Sequence, residues 1–144
     1  MTTARDIMHT PVTCIRADQT LASAARHMAE SGVGALPICG LDDRLQGMVT
    51  DRDIIVKCVA VGRDPFGMLA AEVAQGITYH VDADASVETM LTLMASHQIR
   101  RLPVVDKERL VGIVSESDIA RHLPEHAHAQ FVTAIGGQQA IPSR

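Results

Sequence analysis

The chain has 144 residues, of which 47% are hydrophobic, but it contains only one Tyr, two Phe and no Trp. This length suggests one compact assembly with an aliphatic core. Its net charge of −4 argues against nucleic acid as the main partner, since phosphate binding needs a basic face. No apolar stretch is long enough to span a bilayer, and the N-terminus lacks the pattern of a signal peptide. We therefore expect a cytoplasmic protein, although export without a leader would leave no trace.

The sequence contains a tandem duplication. When it is shifted by 66 residues, residues 36–38 (Leu-Pro-Ile) align with residues 102–104 (Leu-Pro-Val). After one deletion, residues 47–53 align with residues 112–118. Repeats must be found first, because a missed repeat gives the wrong fold. We assign repeat 1 to residues 1–62, repeat 2 to residues 63–123 and a C-terminal tail to residues 124–144.

Each repeat is predicted to form a strand, a helix, two further strands and a second helix, which makes a mixed α/β (α+β) fold. In repeat 1 the predicted strands cover residues 12–15, 35–39 and 45–49, and Thr20 and Gly32 bound the first helix. In repeat 2 the predicted strands cover residues 78–81, 102–105 and 110–114, and Ser86 begins the first helix. Both first helices carry apolar residues at i, i+3, i+4 and i+7, which indicates one buried face. In the tail we predict at most a short helix, over residues 126–135.

A heptad with the pattern Gly, two apolar residues, a hydroxyl, two variable residues and Asp occurs once in each repeat. It covers residues 47–53 and 112–118, each at the predicted start of a second helix. Thr50 and Ser115 are good N-cap residues, and an acidic residue three positions later favours the positive end of a helix. The simple interpretation is therefore a helix cap.

The heptad also fits a nucleoside site. A helix start offers free N–H groups to phosphate. The carboxylate of Asp53 or Asp118 is suited to accept hydrogen bonds from two ribose hydroxyls. A single short motif would favour capping alone. Two copies in matching contexts make the binding interpretation stronger, and the two roles are compatible.

The repeats differ just before their second strands. Repeat 2 has Arg100 and Arg101, whereas repeat 1 has Gly34 and Ala35. Guanidinium groups offer planar donors to phosphate, so the arginine pair is a candidate phosphate ligand. A solvated pair that faces Glu or Asp is an equally good interpretation. If only one of the two sites binds a ligand, we predict that it is the one these arginines reach.

The element order, the Asp-Ile-Met start at residues 6–8, the Leu-Pro strands and both heptads resemble a tandem pair of cystathionine β-synthase (CBS) domains. The resemblance covers residues 1–123 and implies a module, called a Bateman module, with two clefts between its repeats. It implies binding of an adenosine nucleotide such as AMP, ADP or ATP, or of S-adenosylmethionine. It also implies Asp53 and Asp118 as ribose ligands, with Thr50 and Ser115 beside them.

The resemblance has consequences for partners as well. Modules of this family commonly pair into a homodimer and regulate an attached enzyme or channel. No such domain is recognisable in this sequence, so the sensed ligand would be reported to a separate, unknown protein partner. A role in a hypoxia or stress response fits the resemblance, and neither nucleic acid nor a membrane is expected as a partner.

The cysteines allow two interpretations. Cys14 and Cys39 lie near the ends of two strands that a helical crossover makes parallel and adjacent. Their Cα atoms would then come within the range of about 4.4–6.8 Å that a disulfide needs. The alternative is two reduced thiols that act as small hydrophobes, which a cytoplasmic setting favours. Cys58 has no obvious mate.

Seven histidines are many for this length. His122 and His126 are four residues apart, on one helical face if Pro124 does not break the helix. Two imidazoles do not complete a tetrahedral zinc site, but His97 is a candidate third ligand. The alternative is a set of surface histidines. His9, His27 and His80 show no ligand spacing.

Three functions are compatible with these observations. The first is a ligand-sensing module, in which an adenosine-type ligand shifts an equilibrium by its differential affinity. The second is a structural or interaction protein with non-functional clefts, stabilised by the Cys14–Cys39 disulfide and a zinc ion. The third is an enzyme, for which the sequence offers neither a nucleophile–base–acid set nor a Walker loop. We expect the first, and no catalytic residues.

Overall fold

Two three-stranded sheets carry the fold, one from each repeat. The computed structural model describes residues 2–74 and 78–123. The first sheet has the order β1 (Ile15–Arg16), β2 (Ala35–Cys39), β3 (Leu45–Thr50). The second sheet has the order β4 (Val81–Asp82), β5 (Arg101–Asp106), β6 (Arg109–Ser115). The predicted mixed α/β fold with a repeated strand–helix–strand–strand–helix order is therefore confirmed.

The long helices α2 (Leu21–Ser31) and α5 (Val87–His97) connect the first and second strands of each sheet. Both begin at the predicted caps, because the hydroxyl of Thr20 accepts from Ser23 N at 3.1 Å and that of Ser86 accepts from Thr89 N at 3.1 Å. Gly32 ends α2 with a φ of 67°, a left-handed conformation that glycine adopts without strain. These local signals were enough to place both helices.

The first strand of each repeat is shorter and later than predicted. In β1 only Ile15 and Arg16 pair with β2, in parallel, opposite Ile38 and Cys39. In β4 only Val81 and Asp82 pair with β5, also in parallel. The predicted strand residues before them, 12–14 and 78–80, take no part in these ladders.

In each repeat one short helix follows the third strand, and a different short helix precedes the first strand. The former are α3 (Asp51–Ile54), which continues as a π-helical turn (Ile55–Val59), and α6 (Glu116–Ala120). The latter, which the sequence did not predict, are α1 (Ala4–Ile7) and α4 (Ala70–Val73). The predicted tail, with its helix over residues 126–135, lies outside the described residues.

The packing units do not follow the repeats along the chain. Residues 13–74, 78 and 108–110 form one unit, and residues 2–12, 79–107 and 111–123 form the other. The segment that precedes repeat 1 thus packs in the unit of repeat 2, where Ala4 N donates to Ala85 O at 2.8 Å. In the unit of repeat 1, Ala70 N donates to Gln19 O at 2.8 Å. The boundary at residues 62 and 63 thus describes the duplication in the sequence, whereas the folded units exchange their leading segments.

Each unit has its own aliphatic core. The core around the first sheet is built from Ile15, Leu21, Ala24, Met28, Leu36, Ile38, Val49, Ile54, Cys58, Met68, Ala70 and Val73. The core around the second sheet is built from Ala4, Ile7, Val81, Ala83, Met90, Met94, Leu102, Val104, Val114 and Ile119. These buried side chains include no aromatic ring, as the composition predicts, and both cores anchor the strands that lead into the heptads.

Candidate functional site

A capping box fixes the aspartate of each heptad. At α3, Asp53 N donates to the hydroxyl of Thr50 at 3.0 Å, and Thr50 N donates to Asp53 Oδ2 at 3.0 Å. At α6, Asp118 N donates to Ser115 Oγ at 3.3 Å, and Ser115 N donates to Asp118 Oδ2 at 2.8 Å. The predicted helix caps are therefore confirmed in both repeats.

The heptad glycines lie under the exchanged segments. A Cβ on Gly47 would lie 2.8 Å from Ala74 Cβ, and a Cβ on Gly112 would lie 2.5 Å from Met8 Sδ. Ala74 and Met8 are 66 residues apart and occupy equivalent places in the duplication. Each heptad begins with glycine because another segment of its own unit passes directly over it.

Asp118 is the only buried polar or charged residue among those the structure describes, with 2% of its surface exposed. In addition to Ser115 N, its Oδ2 accepts from Ser115 Oγ at 2.8 Å. Its Oδ1 lies 2.7 Å from His9 Nε2 and accepts from Arg121 Nη2 at 2.6 Å. His9 comes from the exchanged segment, whereas Arg121 lies one turn further along the chain.

The carboxyl of Asp118 is held in its ionised form. Burial by itself raises its pKa, but hydrogen bonds from the backbone and hydroxyl of Ser115 and from His9 outweigh this effect. The pKa of Asp118 therefore lies below the ordinary carboxyl value. This buried carboxylate is thus held by hydrogen-bond donors from Ser115, His9 and Arg121.

Asp53 has a more open environment. Its side chain is 22% exposed, and Lys57 Nζ lies 3.3 Å from Asp53 Oδ1. Lys57 also donates to Val73 O at 3.3 Å, so its ammonium group is shared between two acceptors. The carboxylate of repeat 1 is thus fixed by its cap but reached from one side by solvent.

One member of the arginine pair, Arg100, already has a partner within the chain. Arg100 Nη1 donates to Glu116 Oε1 at 2.9 Å, while Arg100 O accepts from Glu116 N at 2.9 Å. Gly34 O accepts the equivalent backbone bond from Asp51 N at 2.9 Å in repeat 1. Arg101 begins β5 and is exposed. The pairing with a glutamate favours the solvated-pair interpretation for Arg100, whereas the phosphate role stays a prediction.

The structure does not support the predicted disulfide. Cys14 and Cys39 are free thiols, and Cys39 is buried. The parallel register places Arg16 opposite Cys39, yet the Cys14 and Cys39 side chains are neighbours that interact as thiols. Burial, and then the neighbouring Cys14 thiol, raise the pKa of Cys39, which favours its protonated form. The interpretation as reduced thiols is the one that this structure supports.

The histidines form no recognised metal site in the part of the chain that the structure describes. The ring of His97 stacks on Tyr79 with centroids 3.8 Å apart. His122 Nδ1 lies 3.0 Å from Asp118 O. No group of three His, Cys, Asp or Glu residues suited to a metal occurs within residues 2–74 and 78–123. The third predicted ligand, His126, lies outside the described residues.

The sequence analysis missed two functional candidates, His9 and Arg121. Arg121 follows Asp118 by three residues on one helical face, a spacing that could have revealed the ion pair. His9 lies 109 residues from Asp118, and only the exchange of segments brings them together. No local signal in the sequence could have indicated that contact.

The chain matches a known protein family. The CBS domain family model matches residues 4–59 and 73–125. The chain belongs to the CBS domain family, as a protein with two such domains. No helix in the described residues has the length and apolar character required to cross a membrane.

One protein sequence and two crystal structures are similar to the chain. The chain is 57% identical to Hypoxic response protein 1 of Mycobacterium tuberculosis over 143 residues, which cover 99% of this chain and all of that protein. It is similar to a crystal structure of Hypoxic Response Protein I with two coordinated zinc ions, with a TM-score of 0.80, 58% identity, 85% of this chain covered and all of that one. A second similar structure is the CBS domain pair of protein MJ0100 in complex with 5′-methylthioadenosine and S-adenosyl-L-methionine. Its TM-score is 0.74 at 27% identity, over 85% of this chain and 95% of that one.

Proposed function

We propose that the chain is a regulatory CBS-pair module that binds an adenosine-type ligand and reports it to a separate partner protein. The observation that carries this proposal is the capping-box aspartate that ends both heptads. A CBS domain pair of similar fold has been crystallised with two adenosine-containing ligands, which supports the same ligand class here. The name of the relative that matches along the whole chain supports a role in the response to hypoxia.

In this proposal the heptad residues bind the nucleoside. The carboxylate of an aspartate, Asp53 or Asp118, accepts hydrogen bonds from the ribose hydroxyls, since an ionised carboxylate accepts several such bonds. Thr50 and Ser115 hold these carboxylates in place through the capping boxes. For a nucleotide bound at the second heptad, the exposed guanidinium of Arg101 is a candidate to contact phosphate.

Calorimetric titration of nucleotide-stripped protein tests the proposal. The probes are AMP, ADP, ATP, S-adenosylmethionine and 5′-methylthioadenosine. We expect saturable heat with at least one probe and its loss in Asp53→Asn or in Asp118→Asn. The control is Asp51→Asn, which removes an exposed charge two residues away and leaves the capping box intact. No heat with any probe, or heat equal to that of the parent in both aspartate variants, would contradict the proposal.

We further propose that the module acts without catalysis and as a homodimer. Large apolar side chains are exposed on the turn that follows α3 and on the chain after it. They are Ile55, Val56, Val59, Val61 and Phe66, each between 44% and 70% exposed. Exposed apolar surface on this scale is typical of an interaction site. Multi-angle light scattering should show a dimer for the parent and a shift towards monomer for Ile55→Asp combined with Val59→Asp.

A second candidate function is a structural protein that holds zinc, favoured by the two zinc ions coordinated in Hypoxic Response Protein I. The described residues offer His97 and His122, but their rings are engaged with Tyr79 and a backbone carbonyl. Two imidazoles alone do not complete a tetrahedral site. Elemental analysis of protein purified without an affinity tag, compared with His122→Ala, tests this function. About one zinc per chain that the variant loses would support it, and its absence from both would contradict it.

A further inference from the structure

The two heptad carboxylates differ in how many donors they already hold. An ionised carboxylate has about four positions for incoming hydrogen bonds. On Asp118, the backbone and hydroxyl of Ser115 both reach Oδ2 at 2.8 Å. On its other oxygen, His9 Nε2 lies at 2.7 Å and Arg121 Nη2 at 2.6 Å. Four donors thus fill the four positions, and a ribose diol would have to displace two of them.

Asp53 holds fewer donors among the described residues. Thr50 N reaches Oδ2 at 3.0 Å, and Lys57 Nζ lies 3.3 Å from Oδ1. About two positions therefore remain for hydroxyl groups. The side chain of Asp53 is 22% exposed, compared with 2% for Asp118. Two spare positions and access from solvent are what a vicinal diol requires.

Within the proposed function, on which this inference rests, we propose that His9 and Arg121 close the second heptad to ribose. The chain then binds one adenosine-type ligand, at Asp53. In this arrangement Asp118 is a structural anion, and the side of Arg100 and Arg101 is not the binding side. The arginine pair in the sequence favours the second heptad, whereas the contacts of His9 and Arg121 with Asp118 favour the first.

His9 is held in place by more than its bond to Asp118. His9 N donates to Ile113 O at 2.9 Å, and Ile113 N donates back to His9 O at 3.4 Å, inside the second heptad. The preceding residue, Met8, covers Gly112. The backbone thus fixes the imidazole beside the carboxylate, so His9 acts as a positioning residue that determines which heptad binds.

The side chain of Lys57 does not block ligand access to Asp53 in the way that His9 and Arg121 block access to Asp118. It is a single flexible ammonium, 47% exposed, that is shared with the carbonyl of Val73. A ligand hydroxyl or phosphate that approaches Asp53 can take over one of these contacts. His9 and Arg121 instead hold one oxygen of Asp118 from two different segments of the chain.

The number of ligands per chain tests the inference. Calorimetry with AMP and with S-adenosylmethionine should give one site per chain for the parent. Asp53→Asn should weaken binding by at least about tenfold, since the loss of one hydrogen bond to a charged group changes affinity on this scale. His9→Ala/Arg121→Ala should show a second site. Both replaced side chains are 64% exposed, so the core stays intact.

The matched control is Arg26→Ala/His27→Ala, which removes the same two residue types from α2 and should keep one site. Two sites per chain in the parent, or one unchanged site in Asp53→Asn, would overturn the inference and leave the proposed function standing. A folded His9→Ala/Arg121→Ala variant that still binds one ligand per chain would also overturn the inference and leave the proposed function standing. If the double variant does not fold, the parent and Asp53→Asn still decide the question. If none of these proteins binds AMP, ADP, ATP, S-adenosylmethionine or 5′-methylthioadenosine, the proposed function itself is overturned, and the inference with it.

Discussion

The two heptads show how one sequence pattern produces two different chemical environments. Both place an aspartate in a capping box at the start of a short helix. In repeat 1 the aspartate keeps an exposed edge beside one lysine, whereas in repeat 2 it is buried under a histidine and an arginine. The pattern itself explains the cap, while residues outside the pattern decide whether the carboxylate remains available.

The largest expected effect is a difference in stability between a variant of Asp118 and a variant of Asp53. Asp118→Ala removes a buried acceptor from Ser115, His9 and Arg121, and we expect a loss of about 2–3 kcal/mol in the free energy of unfolding. The estimate is moderate because His9 and Arg121 are exposed and can turn to water. Asp53→Ala should cost about 1 kcal/mol, the typical contribution of a cap. Urea unfolding of both variants tests the difference, and equal losses would contradict it.

The next effect concerns the glycines under the exchanged segments. Gly47→Ala should cost about 1–3 kcal/mol, because its new Cβ would lie 2.8 Å from Ala74 Cβ, which is rigidly attached to the backbone. Gly112→Ala should cost less, since the flexible Met8 side chain can turn away. Thermal unfolding compares the two variants. Met8→Ala should recover part of the loss in Gly112→Ala, and no recovery would show that the backbone limits the site.

The caps, the two long helices and the duplication could be predicted because their signals are local. Thr20 and Ser86 cap the helices they precede, and residues three apart form each capping box. The exchange of α1 and α4 could not be predicted in this way. It depends on contacts between residues far apart in the sequence, such as Ala4 N with Ala85 O and Ala70 N with Gln19 O. The contact of His9 with Asp118 was missed for the same reason, whereas the three-residue spacing of Arg121 is a local signal.

A smaller effect is the pH dependence of the Asp118 cluster. The pKa of Asp118 is lower in the folded chain than the ordinary carboxyl value of about 3.9. The unfolded state therefore takes up protons first, and stability is fully present above about pH 5 and lost as the pH falls through the folded pKa. The gap in unfolding free energy between the parent and Asp118→Asn should narrow from neutral pH to about pH 3. Urea titrations of both proteins across this range test the sign, and a gap that widens would contradict it.

The smallest expected effect concerns Arg100, where the repeats differ most in sequence. Arg100→Gly recreates the residue of repeat 1 and keeps the backbone bond from Glu116 N, since Gly34 O accepts the equivalent bond in repeat 1. The substitution removes only the ion pair between Arg100 and Glu116, in which the arginine side chain is 52% exposed. We expect a change of at most about 1 kcal/mol in unfolding free energy. If Arg100 does not serve the ligand site, AMP affinity should also stay within about twofold of the parent, a change of under about 0.5 kcal/mol. A large loss of affinity in calorimetry, with stability unchanged, would instead assign the ligand to the side of repeat 2 and reverse the comparison between the heptads.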